Sequence, residues 1–92
     1  MKPLTRRRLV LLAASILAAC SQPLPEDGSA TAELYRQRCG NCHHAVAPAT
    51  MKFPMWEMVL PRMDKHMARA RQQPLTVTER ETIVAYLRRH SG

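Results

Sequence analysis

The chain is short of the residues that build a large core. Its 92 residues include only four aromatic side chains, three glycines and three cysteines. A chain of this length buries little apolar surface, and such chains commonly need a disulfide, a metal or another group to hold the fold together. The length therefore predicts a single domain and excludes a multidomain enzyme with a large substrate cleft over these residues. The composition, 46% hydrophobic and 23% charged, is typical of a globular chain rather than a disordered one.

The sequence has no apolar run of the roughly 20 residues that are needed to cross a bilayer. Its N-terminal run, residues 9–19, is only eleven residues long and follows four basic residues. A basic start, a short apolar run and small residues at its end predict a secretory signal peptide over residues 1–19. The end, Leu17-Ala18-Ala19-Cys20, resembles the lipobox of bacterial lipoproteins, which implies cleavage before Cys20 and a lipid on its thiol. An ordinary signal peptide is the alternative.

Acidic residues are scarce, with seven against fourteen Lys and Arg, for a net charge of +7. Four of the basic residues lie in the predicted signal peptide, which leaves ten against seven, or +3, beyond it. This mild excess, together with export, argues against nucleic acid as a partner. Residues 20–29 are rich in turn formers and lack apolar periodicity, so they predict a flexible linker ahead of a domain over residues 30–92.

Two of the three cysteines stand in the pentad Cys39-Gly40-Asn41-Cys42-His43. Cys-x-x-Cys-His is the attachment signature of c-type haem. Thiols three positions apart lie about one helical turn apart, which suits thioether formation with two vinyl groups, and His43 can then serve as the proximal ligand of the iron. The sequence therefore predicts one covalent haem c, a large flat group that would complete a core poor in aromatic residues.

Two other interpretations of the cysteine pair fit the sequence less well. A thiol–disulfide redox pair on a thioredoxin-like fold needs alternating strands and helices, and the sequence has no strand pattern. A structural zinc site needs two further ligands, but Cys20 is assigned to the anchor, and His66 and His90 lie 24 residues apart. His44 follows the motif directly, and neighbouring helical side chains diverge by about 100°. We therefore expect His44 at the surface.

Over residues 30–90 these features resemble a small monohaem cytochrome c of the class I type. The resemblance implies an all-α fold wrapped around the haem, with a first helix, predicted over residues 30–39, packed crosswise on a C-terminal helix. Thr78, with Glu81 three residues later, predicts a capping box at the start of that last helix. Its buried face is predicted to contain Ile83, Leu87 and either Val84 or Tyr86.

The resemblance also implies a methionine as the second axial ligand, and a soft thioether in that position favours Fe(II). Residues 54–71 have apolar side chains at helical spacing, and Pro61 predicts a kink or a fresh helix start among them. Trp56 followed seven residues later by Met63 is similar to the arrangement in some small cytochrome c domains. Met63 is therefore the predicted ligand, and the alternatives are Met51, Met55, Met58, Met67 and His66.

An iron with two protein ligands has no open position for a substrate, so the resemblance implies a one-electron carrier between redox partner proteins and not an enzyme. The alternatives are a haem-based gas-sensing module, in which Met63 would yield to CO or NO, and a haem subunit that tethers a redox enzyme to the membrane. A basic stretch would either meet an acidic partner or form a solvated helix face. It consists of Arg62, Lys65, Arg69 and Arg71.

The predicted location is the periplasmic side of a bacterial membrane, with the chain anchored through the lipid on Cys20. Haem is attached outside the cytoplasm to an unfolded chain, which favours general secretory export over the twin-arginine route that Thr5-Arg6-Arg7 faintly resembles. Ser21 follows the predicted lipidated cysteine, and in lipoproteins of diderm bacteria this favours the outer membrane. We expect a monomer or a subunit of a redox complex.

Overall fold

The computed structural model describes residues 23–92, so the predicted signal peptide and Cys20 lie outside the described residues. This part of the chain contains helices and turns but no strand, which confirms the all-α fold class. Among its helices, none combines the length and the hydropathy that a transmembrane helix needs. The elements in chain order are α1 (Ala30–Cys39), a short 3₁₀-helix (Pro48–Thr50), α2 (Phe53–Arg69) and α3 (Val77–His90).

Helix α1 begins and ends where the sequence predicts. Ser29 is its N-cap, and the Ser29 hydroxyl accepts a hydrogen bond from the backbone N–H of Ala32 at 3.1 Å, which satisfies one of the free donors of the first turn. Ala32 and Tyr35, three residues apart, are buried on one face. The helix ends at Cys39, so it delivers the first motif cysteine from a rigid element.

Helix α3 lies against both other helices and supplies the centre of the core. Its buried residues are Ile83, Tyr86 and Leu87, which confirms the predicted face and selects Tyr86 over Val84. The Tyr86 ring packs on Tyr35 of α1 with 5.2 Å between ring centroids. Trp56 and Leu60 of α2 belong to the same cluster. Aromatic pairs at this separation add stability beyond the area that they bury.

The capping box of α3 is two residues earlier than the sequence analysis predicts. Thr76 is the N-cap: its hydroxyl accepts from the Glu79 N–H at 3.1 Å, and its own N–H donates to Glu79 Oε1 at 2.9 Å. The Thr-x-x-Glu pattern occurs twice in succession, and the prediction of Thr78 with Glu81 chose the wrong copy. The earlier start also pairs Glu79 Oε2 with Arg38 of α1 at 3.4 Å, a contact that the exposed Glu81 lacks.

Helix α2 continues through Pro61 without a break, so the fresh start, one of the two alternatives predicted at this residue, is wrong. Proline removes one N–H donor and leaves the carbonyl four residues earlier, on Glu57, without its helical partner. Both Pro61 and Glu57 are exposed, which allows water to replace the missing hydrogen bond. The buried stripe of the helix lies on the other side, at Trp56, Leu60 and Met67.

Residues 24–26 contact the helices, whereas the sequence analysis predicts a flexible linker over residues 20–29. Leu24 is 8% exposed and joins the core, and Tyr86 Oη donates to the Pro25 carbonyl at 2.8 Å. Glu26 pairs with Arg89 at 3.0 Å and also with His90, and hydrogen bonds from His90 and Arg89 lower the pKa of the Glu26 carboxyl. A lone leucine among turn formers has no periodicity, so only the folded chain shows that Leu24 is buried.

Candidate haem site

The pentad starts on α1 and continues as a tight irregular turn. Cys39 is the last helical residue, Gly40 is the C-cap, and residues 41–43 are bends. Only the first thiol is therefore presented by a helix, whereas the sequence analysis placed both on one helical turn. A Cβ on Gly40 would clash with the backbone carbonyl oxygen of Arg36. Glycine is thus required for the chain to turn back so closely on α1.

Residues 23–92 contain two cysteines, Cys39 and Cys42 of the motif. Both are free thiols, but their surroundings differ. Cys39 is half-buried, and burial raises the pKa of its thiol to about 11. Cys42 is exposed, and its Sγ accepts a long hydrogen bond of 3.5 Å from Gln72 Nε2. One sulfur therefore lies towards the core and the other at the surface, so a group bonded to both would span the edge of the domain.

The His43 imidazole is exposed, and its Nδ1 lies 2.8 Å from the backbone carbonyl oxygen of His44. Because a carbonyl oxygen only accepts, Nδ1 is the donor, and in the neutral imidazole the Nε2 lone pair is then free to bind a metal. Metal-ligating histidines commonly use this arrangement, in which a backbone carbonyl fixes the tautomer and the ring orientation. The His44 side chain is exposed, as the sequence analysis predicts.

Two cavities share Cys39, His43 and Met63 in their walls. The larger measures about 460 Å³, within the range of about 300–1,000 Å³ typical of ligand pockets, and the smaller, about 120 Å³, reaches into the core beside Tyr35, Trp56 and Leu87. Thiols and an imidazole on one side, with apolar side chains around them, fit a covalently bound haem. The larger cavity is lined by Arg38, Cys39, Asn41, Cys42, His43, Met63, His66, Met67, Arg69, Ala70 and Gln72.

The candidates for the second axial ligand differ in their access to these cavities. Met63 lines both, whereas His66 and Met67 line only the larger and Met51 lines only the smaller. Met55 and Met58 line neither of the two, and they are 52% and 68% exposed. The structure therefore brings Met63 together with Cys39 and His43, and it separates Met55 and Met58 from them.

Residues 35–92 match the family model described as dihaem cytochrome c. The chain belongs to the dihaem cytochrome c family. It therefore contains a c-type cytochrome domain whose cofactor is haem c, and membership in this family indicates electron transfer rather than catalysis. Comparison with curated proteins and with solved structures gives no match.

The family description names two haems, whereas the sequence analysis predicts a monohaem cytochrome. The 92 residues of this dihaem-family cytochrome hold a single Cys-x-x-Cys-His motif, and their third cysteine, Cys20, has no histidine near it. The family match begins only four residues before Cys39 and contains the one motif. The match shows membership in the family, whereas the number of haems that these residues can attach depends on their own cysteines.

The sequence analysis missed two side chains that fasten the site of this cytochrome. Arg38 Nη2 donates to the Gln73 carbonyl at 2.6 Å, and its buried Nε faces Glu79. Gln72 donates to Cys42. The loop after α2 is thereby held against both ends of the Cys-x-x-Cys segment. The position of Arg38 directly before Cys39 could have indicated its role. Nothing in the sequence connects Gln72 to Cys42, which lies 30 positions away.

Two side-chain hydrogen bonds, one buried and one partly buried, hold the loop that follows the motif. Tyr35 Oη donates to the Val46 carbonyl at 2.5 Å, and Trp56 Nε1 donates to the Pro48 carbonyl at 2.9 Å. Burial raises the pKa of the Tyr35 hydroxyl, so the phenol stays protonated and able to donate. Because both donors belong to helices, these hydrogen bonds attach the loop after His43 to α1 and α2.

Proposed function

We propose that this cytochrome is a one-electron carrier that holds one haem c through thioethers to Cys39 and Cys42, with His43 and Met63 as axial ligands of the iron. The observation that carries the proposal is that Cys39, His43 and Met63 line the same two cavities. Family membership supports the electron-transfer role. The haem iron supplies the chemistry, a one-electron change between Fe(III) and Fe(II).

The side chains of this protein hold and orient the group. Cys39 and Cys42 attach it, and the carbonyl of His44 keeps the His43 Nε2 lone pair available. With the Met63 thioether as a ligand, the iron would favour Fe(II) over Fe(III), and the reduction potential would be higher. In the described part of the chain no carboxylate lines either cavity, and the histidines in their walls are His43 and His66.

The haem-loaded protein is expected to contain one haem for each chain, because the 92 residues provide thiols for a single attachment motif. The ratio follows from the pyridine haemochrome absorbance divided by the protein concentration, and from the intact mass in denaturing conditions. A Cys20→Ser variant is the control, since it should keep the same haem content. A ratio of two haems per chain would contradict the proposal that these residues bind one.

The membrane anchor at Cys20 is a second part of the proposal and rests on the lipobox resemblance. It places the cytochrome on the periplasmic side of a bacterial membrane, with the outer membrane favoured by Ser21. Leu24 is buried in the helical body, and four residues span at most about 14 Å when extended. The lipid would therefore hold the domain close to the bilayer rather than on a long linker.

Replacing Cys20 by serine is expected to move the protein from the membrane fraction to the soluble fraction while the haem spectrum stays unchanged. Two or three acyl chains hold a protein durably on a bilayer, whereas one holds it only marginally. The measurement is the haem absorbance of both fractions after cell disruption and ultracentrifugation. Ser21→Ala, which keeps the thiol, serves as the matched control. If the Cys20→Ser protein stays with the membranes, the anchor proposal is wrong.

A further inference from the structure

Most acidic side chains of the described residues are already neutralised by ion pairs. Five of the seven carboxylates pair with a cation, and residues 1–22 contain no Asp or Glu. The five are Glu26, Asp27, Glu33, Asp64 and Glu79. Within residues 23–92, the cations left without an ion pair are Lys52, Arg62, Lys65, Arg69, Arg71 and Arg88.

Four of these six cations form one group, which we call the basic patch: Arg62, Lys65, Arg69 and Arg71. The first three are spaced by three and four residues, so they lie on one face of α2, and Arg71 comes two residues after the helix ends. All four are exposed. Arg69 also lines the larger cavity. The uncompensated positive charge of the domain is therefore concentrated beside the candidate haem site.

Arg71 occupies a backbone conformation that normally favours glycine. Its φ is +55°, the left-handed region in which a Cβ is strained. Arg71 N–H donates to the Ala68 carbonyl and Gln72 N–H to the Met67 carbonyl, a helix-ending turn that normally uses glycine. A strained residue that persists points to a role for its side chain, and here the side chain extends the basic patch.

The same face of α2 continues towards the N-terminus of the helix with two exposed methionines. Met55 and Met58 precede Arg62 by seven and four residues, so they continue the stripe that Arg62, Lys65 and Arg69 form on α2. Both methionines are more than half exposed. Flexible thioether side chains adapt to varied protein surfaces. An interface of this kind, an apolar patch beside charged groups, is typical of protein partners.

A lipid surface fits this face less well. Helices that lie in a membrane interface insert bulky apolar residues such as tryptophan, phenylalanine and leucine. The residues of that kind on α2 are turned towards the core: Trp56 and Leu60 are buried, and Phe53 is half-buried beneath the Arg88 guanidinium. The outer face therefore offers charge without the deep apolar anchors that a bilayer requires.

We propose that this face of α2 is the docking surface for an acidic electron-transfer protein. The basic patch steers the carboxylates of the partner to the edge of the cavity, while Met55 and Met58 contact its apolar surface. Electrostatic attraction of this kind speeds association far more than it tightens binding, which suits a short-lived redox encounter with a small interface. The proposal rests on the electron-carrier function proposed above.

The test measures how fast the reduced, haem-loaded protein gives one electron to hexacyanoferrate(III), which becomes hexacyanoferrate(II). The stopped-flow experiments use about 0.1 M ionic strength, where charges are screened over about 10 Å. Under these conditions Arg62→Glu/Lys65→Glu is expected to lower the rate of electron transfer to this anionic oxidant by about tenfold. The reaction of the same variant with the cationic oxidant tris(phenanthroline)cobalt(III) should be faster than that of the native protein. Poly-L-glutamate, an acidic polypeptide, should inhibit the native protein and not the variant.

The matched control is Lys52→Glu/Arg88→Glu, which makes the same change of charge at the other end of α2. Lys52 lies ten residues from Arg62, about 15 Å along the helix, and Arg88 stacks on Phe53 near that end. This control should change either rate by less than about twofold. Equal slowing by both double variants would overturn a localised docking surface, because net charge alone would then explain the effect.

The remaining outcomes separate the docking surface from the function on which it rests. If the native protein reacts with neither oxidant, the electron-carrier proposal fails; if it reacts with both and Arg62→Glu/Lys65→Glu changes nothing, only the docking surface fails. A lipid ligand is tested with full-length Cys20→Ser protein and phosphatidylcholine vesicles, with and without phosphatidylglycerol. We expect no co-sedimentation. Binding to the anionic vesicles that disappears in the Arg62→Glu/Lys65→Glu background would overturn the protein partner.

Discussion

Replacing both Cys39 and Cys42 by serine is expected to abolish haem retention in denaturing conditions and to leave the chain largely unfolded. Without thioethers nothing covalent holds the group, and the cavity of about 460 Å³ would remain in a core to which residues 23–92 contribute only nine buried apolar side chains. So small a core supplies little stability by itself. Haem staining of a denaturing gel measures attachment, and far-ultraviolet circular dichroism measures helix content.

Cys20→Ser is the matched control for this pair, because it removes the remaining cysteine of the sequence and should keep the haem stain. Each single variant should keep some attached haem through the other thiol. Haem staining of the Cys39→Ser/Cys42→Ser protein at the native level would show that attachment does not depend on this motif. Helix content at the native level without haem would show that the apolar cluster is sufficient for folding.

Replacing Met63 by alanine is expected to leave haem covalently attached and to remove the second axial ligand. The weak long-wavelength absorption band that marks methionine coordination to ferric haem should vanish, and the reduction potential should fall because the lost thioether favours Fe(II). The reduced variant should bind CO at once at neutral pH, whereas the native protein should not. Visible spectra and a potentiometric titration measure these changes.

Two methionines provide controls with opposite surroundings. Met58 is 68% exposed, so Met58→Ala should change neither the spectrum nor the stability. Met67 is buried, and Met67→Ala should keep the band while it costs about 2–5 kcal/mol of stability. Met67 lies one helical turn after Met63 and could replace it, so Met63→Ala/Met67→Ala is also required. If the double variant keeps the band, the ligand lies among Met51, Met55 and Met58. A native protein that lacks the band would show that no methionine binds the iron, and His66 would then be the alternative to examine.

The sequence alone determined the features of this cytochrome that depend on residues close together in the chain. The Cys-x-x-Cys-His motif predicts haem c because five adjacent residues carry the signal, and family membership supports that cofactor. The bounds of α1 follow from a run of helix-forming residues and the buried face of α3 from helical spacing, and both are confirmed. The choice of Met63 as ligand stays a prediction, although its place in both cavity walls supports it.

Only the tertiary structure decided what depends on residues far apart. Thr76 and Thr78 offer the same local cap, and the contact of Glu79 with Arg38, 41 residues away, separates the two. Gln72 reaches Cys42 across 30 residues, and Leu24 is buried against helices that begin later in the chain. Periodicity shows which side of a helix is apolar, but it does not show which helix covers that side. For the same reason, the sequence shows four cations close together, but only the fold shows that none of the four has an ion pair among residues 23–92.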